Sequence, residues 1–388
     1  MPQDRHYINC NDFQRAARRR LPKIFADYID GGAFSETTLA RNRTDFDRYA
    51  LRQRVLRNLV EADLSTTYLG RIQALPFFPG PVGFMGLYRR DGDQLVGLSA
   101  RRHGVPFGLS TFSIKGVSSL APQLGETLAF QLYLDRDPEV NAGYLEACRH
   151  AGVETIFLTV DTAITSVRER DVRNQFRSVS HITPALALQF MRRPRWSIDL
   201  LRNGMPGVEL VNDRPEFGRG ALAQAANLSA RLDKDLTWDK VKALRDLWPG
   251  RLVIKGISDP RDAAIARSSG ADGIIISNHG GRQLDHGCST ISLVRPIREA
   301  LGPDMELMVD SGFRRGTDII KAVALGADAV LMGRPFAWAV AAEGAWGVDR
   351  LFTLLADEIR ITLQLMGMSS LAELKAAPVQ DVLRHLPD

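Results

Sequence analysis

Short, wholly apolar runs alternate along this chain with longer stretches in which apolar residues recur at helical spacing. Asp137-Pro138 opens a stretch with Val140, Tyr144, Leu145 and Cys148 on one face; Ala151-Gly152 closes it, and the apolar run Thr155 to Val160 follows. An Asp N-cap, a Pro in the first turn and a Gly at the stop are the chemistry of helix ends, so the spacing predicts a helix and then a strand. The same order returns at Asp259-Pro260, with Gly270-Ala271-Asp272 before the next apolar run. It returns again at Gly316-Thr317-Asp318, with Gly326-Ala327-Asp328. Strands apolar on both faces, each joined to the next by a helix, imply a parallel sheet covered by helices.

Eight such strands can be counted: Phe77 to Val82, Pro106 to Leu109, Ala129 to Leu132, Thr155 to Val160, Leu252 to Ile254, Gly273 to Ile276, Glu306 to Val309 and Ala329 to Met332. Eight parallel strands alternating with helices predict an α/β fold of the (β/α)8 TIM-barrel type, whose chemistry sits at the C-terminal strand ends. Polar or Gly-rich residues stand at nearly all of those ends. One domain is expected over 1–388, with a helical cover (1–75), a barrel (76–340) interrupted by an insertion after strand 4 (167–234), and C-terminal helices (341–388).

In the cover, Asn11/Asp12 is expected to cap a helix whose buried stripe is Phe13, Ala16, Ala17 and Leu21, ended by Pro22. Arg18-Arg19-Arg20 reads as a solvated face. The insertion is long for a connection that usually takes ~2–6 residues, which points to function. Its centre, 185–196, sets the apolar Leu186, Leu188, Phe190 and Met191 beside Arg192, Arg193, Arg195 and Trp196. That composition suits a contact with a membrane surface or a helix over the barrel mouth.

Composition narrows the function classes. Over 388 residues, 45% hydrophobic and 24% charged content is ordinary for a globular chain. Three cysteines with no C-x-x-C pair exclude a disulfide scaffold and a Cys-rich zinc site, and no metal is expected. A net charge of +5 is too mild to indicate nucleic acid. The polar start predicts no secretory signal, and no apolar run approaches the ~20 residues of a membrane-spanning helix.

The most informative segment is Ser277-Asn278-His279-Gly280-Gly281-Arg282-Gln283-Leu284-Asp285, directly after strand 6. An imidazole accepts a proton near neutral pH, two glycines admit a ligand close to the backbone, and Arg282 can fork a carboxylate. A base beside an anion clamp suits proton abstraction next to a carboxylate. After strands 7 and 8, Asp310-Ser311-Gly312-Phe313-Arg314-Arg315-Gly316 and Gly333-Arg334 supply the Gly and Arg donors of a barrel phosphate site. Neither the dinucleotide nor the P-loop Gly pattern is present. Lys255 reads equally as a Schiff-base lysine, an ion-pair partner or a fixed charge beside a cofactor.

Together with Leu158-Thr159-Val160-Asp161, Gln131-Leu132-Tyr133, Val253-Ile254-Lys255-Gly256 and Asp27-Tyr28-Ile29-Asp30-Gly31-Gly32, these segments resemble the FMN-dependent 2-hydroxy-acid dehydrogenase/oxidase family. The resemblance runs from about Asn11 to Leu371 and implies that the phosphorylated ligand is FMN. It implies that His279 is the base and Asp161 the carboxylate that supports its charged form. Arg282, Tyr28 and a more mobile Arg168 would bind the substrate carboxylate, and Tyr133 the substrate hydroxyl. Pro81, Val82 and Gly83 would pass near the flavin N5, with Ser110, Gln131, Thr159 and Lys255 on the ring edge and Ser277 also in the cofactor site. Asp310, Gly312, Arg314, Gly333 and Arg334 would hold the ribityl phosphate.

The implied reaction is oxidation of an L-2-hydroxy acid, of lactate or mandelate type, to the 2-keto acid. Phe112, Thr165 and Val82 are candidate pocket residues. Gly83 stands where many family members have Ala; with 185–196 it points to the membrane-associated bacterial dehydrogenases. The expected acceptor is therefore a membrane quinone, and the expected location the inner face of the cell membrane, peripheral and cytoplasmic. A soluble oxidase that reduces O2 to peroxide is the alternative; an FMN-barrel isomerase and a non-catalytic binding barrel fit the residues less well. The family is commonly tetrameric, so a homo-oligomer is expected.

Overall fold

The structure is a computed structural model that describes residues 6–57, 59–176 and 183–386; the start of the chain and residues 177–182 of the predicted insertion lie outside it. Eight strands form one sheet: β1 (Phe77–Pro79), β2 (Phe107–Ser110), β3 (Leu128–Leu132), β4 (Thr155–Thr159), β5 (Arg251–Ile257), β6 (Gly273–Ile276), β7 (Glu306–Val309) and β8 (Ala329–Met332). They pair in parallel in the order β1-β8-β7-β6-β5-β4-β3-β2, and the end strands β1 and β2 lie side by side. This is the predicted (β/α)8 barrel. Its strands are buried almost throughout, because helices cover the outer face and side chains such as Phe78 and Phe157 fill the inner one.

Strand boundaries differ from the sequence reading at two functional places. β1 stops at Pro79: Gly80 still donates to the Met332 carbonyl at 3.1 Å, but Pro81 has no N–H to extend the ladder. β5 runs on to Ile257 with a register shift between Lys255 and Ile257, where Gly256 adopts φ 111°. A side chain there would sit 2.8 Å from the Cβ of Asp161, so Gly256 lets that carboxylate reach the barrel mouth.

In the cover, α1 (Cys10–Arg20) buries Phe13 and Ala17 and stops before Pro22. Its cap is Asn9, not Asn11/Asp12. The Asn9 side chain accepts from the Asp12 N–H and the Asp12 carboxylate accepts from the Asn9 N–H, a reciprocal box that places Asp12 three residues inside the helix. Arg18 and Arg19 are exposed as expected, although Arg18 also pairs with the buried Asp30; Arg20 is half-buried. α2 (Lys23–Asp30) follows and carries Tyr28.

The described part of the insertion is folded rather than a bare loop, with α3 (Pro184–Met191), α4 (Pro194–Asn203) and α5 (Ala221–Arg231). Trp196, expected at a surface edge, is buried: its Nε1 donates to the Leu87 carbonyl at 2.8 Å and its ring packs on Phe25 and Phe190. The indole thus fastens the insertion to the barrel. The chain ends with α6 (Arg334–Leu365), broken at Gly344, and with the strand Leu383–His385 paired antiparallel to Tyr49–Leu51 of the cover.

Candidate active site

The barrel register sets a row of polar side chains across the mouth. Ser110 lies opposite Gln131, and Thr159 opposite Lys255. The Ser110 hydroxyl donates to Gln131 Oε1 at 3.0 Å, and Gln131 Nε2 donates to Thr159 Oγ1 at 2.9 Å. Lys255 Nζ donates to Ser277 Oγ at 2.9 Å and pairs with Asp310 at 2.7 Å. Lys255 is therefore buried and ion-paired, the second of the three readings its sequence position allowed. Asp310, expected at the phosphate, pairs with Lys255 and lines the cavity beside Gly312 and Arg314.

His279 leaves β6 in a left-handed conformation, φ 57°, held by a bond from its N–H to Ser277 Oγ at 3.1 Å. Such backbone in a residue with a side chain carries strain, and it aims the imidazole into the mouth. Nδ1 lies 3.1 and 3.2 Å from the two Asp161 oxygens, and Nε2 lies 3.4 Å from the Tyr133 hydroxyl. Burial pushes the His279 pKa below its ordinary value, against the pull of Asp161, so the ring rests neutral and can accept a proton. Burial raises the Asp161 pKa, but His279 and Lys255 outweigh it and the carboxylate stays ionised. Burial keeps the Tyr133 phenol protonated, able to donate a hydrogen bond.

Next to this dyad stands a cationic clamp. The Arg282 guanidinium lies over the Tyr28 ring, 4.6 Å from its centroid, and donates to the carbonyls of Tyr28 and Gly31. Arg168 is buried in the same wall, with Asp171 3.7 Å away. Phe176 stacks on the other side of Tyr28 at 4.2 Å.

Two half-buried guanidinium groups also line the cavity. Arg334 donates to the carbonyls of Ile29, Gly280 and Gly31, and Arg314 donates to the Phe313 carbonyl beneath the Trp338 ring. Burial and the neighbouring Arg43 push the Arg314 pKa down to about 10; burial, Arg282 and Arg314 hold Arg334 well below its ordinary range. Partly desolvated cations bonded to carbonyls and a ring, rather than to carboxylates, suit an anionic ligand. Gly280, at φ 69°, has room for no side chain: a Cβ would lie 2.5 Å from Arg334 Nη1.

One cavity joins all of these parts. Its wall includes Tyr28, Pro81, Val82, Gly83, Ser110, Gln131, Tyr133, Thr159, Arg168, Lys255, His279, Arg282, Asp310, Gly312, Arg314, Gly333 and Arg334, with Asp161 and Ser277 directly behind. Phe112 and Thr165 line it as expected. The sequence reading missed Phe84, Tyr88 and Phe176, and Ala225, Ser229 and Leu232 on and just after α5. The last three recur every three or four residues, a legible helix face, but nothing in the sequence shows that this face closes over the barrel.

A model of the FMN-dependent dehydrogenase family matches residues 17–381. The chain belongs to that family. It is 40% identical over 378 residues to an L-lactate dehydrogenase of Xanthomonas oryzae pv. oryzae, covering 97% of each chain. It is 39% identical over 365 residues to an L-lactate dehydrogenase of Yersinia pestis, covering 94% of this chain and 95% of that one. Among solved structures it is similar to a monotopic membrane (S)-mandelate dehydrogenase (36% identity, TM-score 0.92, 98% of this chain and 99% of that one). It is also similar to a mandelate oxidase (33% identity, TM-score 0.82, 98% and 100%). The protein is an FMN-dependent 2-hydroxy-acid oxidoreductase. The cavity fits FMN: its lining holds a pair of half-buried guanidinium groups for a phosphate and a row of amide, hydroxyl and ammonium donors for a heteroaromatic ring edge.

Proposed function

We propose that this FMN-dependent dehydrogenase oxidises an L-2-hydroxy acid with an apolar side chain, of lactate or mandelate type, and delivers the electrons to a membrane quinone. The observation that carries the reading is His279, hydrogen-bonded through Nδ1 to Asp161, beside the Arg282 and Tyr28 clamp. Arg282, Arg168 and Tyr28 hold the substrate carboxylate, and the protonated Tyr133 hydroxyl orients the substrate oxygen. His279 Nε2 takes the substrate proton, and the Asp161 carboxylate stabilises the imidazolium so formed. Phe84, Phe112 and Phe176 surround the space left for the substrate side chain. Arg314, Arg334, Gly312 and Gly333 hold the FMN phosphate; Pro81 to Gly83, Ser110, Gln131, Thr159 and Lys255 hold its ring. Bound FMN supplies the two-electron acceptor, and the Lys255 ammonium favours its reduced, more negative form.

The membrane part rests on the α3–α4 hairpin. Leu188, Met191, Ile198, Leu201 and Met205 are exposed, Leu201 at 83%, and Arg192, Arg195 and Arg202 flank them. Apolar side chains ringed by arginines suit insertion to headgroup depth, and a relative of this chain is a monotopic membrane protein. Among the described residues no helix is long and apolar enough to cross a membrane. Anaerobic addition of L-lactate or L-mandelate should bleach the flavin absorbance, and a quinone should restore it faster than dissolved O2. A yellow protein that neither acid bleaches overturns the substrate assignment; peroxide formed at the rate of substrate use overturns the acceptor.

A further inference from the structure

A second cavity, of about 280 Å³, lies between α4 and the segment that follows β1. Trp196, Asp199 and Leu200 line it from the inner face of α4, while Ile198 and Leu201 of the same helix face solvent. Its opposite wall is Gly86 to Asp91, and Lys115 stands at its edge. Arg89, Arg90 and Lys115 bring three cations to the wall and Asp91, Asp199 and Glu209 three carboxylates; Arg90 and Lys115 pair with Asp91 at 3.4 and 3.6 Å, and Arg20 lies within electrostatic reach of Arg89 and Asp199. Two hydrogen bonds connect this cavity to the active site. The Tyr88 hydroxyl donates to the Gly83 carbonyl at 3.0 Å, and Trp196 Nε1 donates to the carbonyl of Leu87, next to Tyr88 in the chain. Tyr88 lines the first cavity and Trp196 the second.

We infer that the second cavity is the site where a quinone headgroup binds to be reduced, separate from the hydroxy-acid pocket. The inference rests on the quinone reading above and adds where the acceptor sits. α4 has the two faces this requires, one toward the lipid that stores the quinone and one toward the cavity. The indole, held between Phe25 and Phe190, gives the quinone ring an apolar wall. The cationic side chains offer hydrogen bonds to its carbonyl oxygens, where negative charge develops on reduction. The balance closes: the hydroxy acid loses two electrons and two protons in becoming the keto acid, and the quinone gains two of each as both carbonyl oxygens become hydroxyls.

The holoenzyme in detergent, with a decyl-tailed benzoquinone as acceptor, tests this without the membrane. Leu200→Trp, which fills the cavity, and Arg90→Gln, at its exposed rim, should each slow quinone-dependent reoxidation of the flavin by about tenfold or more. Anaerobic reduction by the hydroxy acid is the control for folding. An azido-substituted quinone should cross-link to peptides spanning 86–91 or 196–212, with labelling undiminished by excess 2-keto acid. Unchanged reoxidation in both variants, or labelling confined to residues around His279 and competed by keto acid, overturns the separate site. Failure of the quinone to reoxidise the unmodified enzyme at all overturns instead the acceptor reading on which it rests.

Discussion

Asp161→Asn isolates the contribution of charge behind the base. The substitution keeps the shape of a side chain whose oxygens lie 3.1 and 3.2 Å from His279 Nδ1 and removes its charge. A full ion pair at ~4 Å in a medium of effective dielectric ~20 is worth ~4 kcal/mol. With the proton between half and fully transferred in the transition state, ~2–4 kcal/mol of that stabilisation is lost, or ~30- to ~1000-fold in rate. Stopped-flow absorbance under anaerobic conditions, at saturating hydroxy acid, measures it directly. FMN content should be unchanged, because Lys255, Arg314 and Arg334 all remain in the cavity. The pH profile supplies a second readout. Burial lowers the His279 pKa and Asp161 opposes that, so the rate should rise as His279 loses its proton below its ordinary value, and the midpoint should fall further in the variant. Gly256→Ala, whose Cβ would press on Asp161, should reproduce part of the loss. A change of less than about threefold in Asp161→Asn would refute the role of this carboxylate.

His279→Ala should retain FMN and lose its reduction by substrate; normal turnover would remove His279 from the mechanism. Gly83→Ala would place a Cβ 2.9 Å from that of Phe112, which packs against Tyr133, so flavin reduction should slow, by up to ~100-fold if Tyr133 shifts by ~1 Å. Asp93 is fully buried, and burial raises its pKa to about 6 although the N–H groups of Ile114 and Lys115 donate to it. Its contribution to stability is therefore present below the unfolded value of ~4 and lost as pH rises through about 6, so Asp93→Asn should raise the melting temperature at pH 8, by up to ~3 kcal/mol in stability, and change little at pH 4. Deleting 186–195 would expose the buried contacts of Leu186 and Trp196, so membrane contact is better tested by Ile198→Asp with Leu201→Asp. That pair should release the enzyme from anionic vesicles and leave turnover with a soluble dye intact; unchanged vesicle partition would refute the contact.

The apolar runs and helix-end residues determined the barrel in advance, because a strand buried on both faces can have almost no polar side chain, and Asp137 and Asp259 cap their helices as the sequence predicts. The site residues were legible for a related reason. In a parallel barrel every strand's C-terminal end faces one mouth, so Ser110, Gln131, Thr159, Lys255 and His279 had to converge however far apart they lie in the chain. What sequence could not decide was pairing. Whether Lys255 meets a carbonyl, a flavin or Asp310 depends on the stagger between strands, and Asp161 reaches His279 only through the bulge at Gly256. The insertion shows the same division. Its apolar and basic composition was plain, but a helix has two faces, and only packing against Leu87 and Phe25 showed that Trp196 turns inward while Ile198 and Leu201 remain outside. Burial depends on contacts between residues far apart in the chain, and those contacts exist only once the chain has folded.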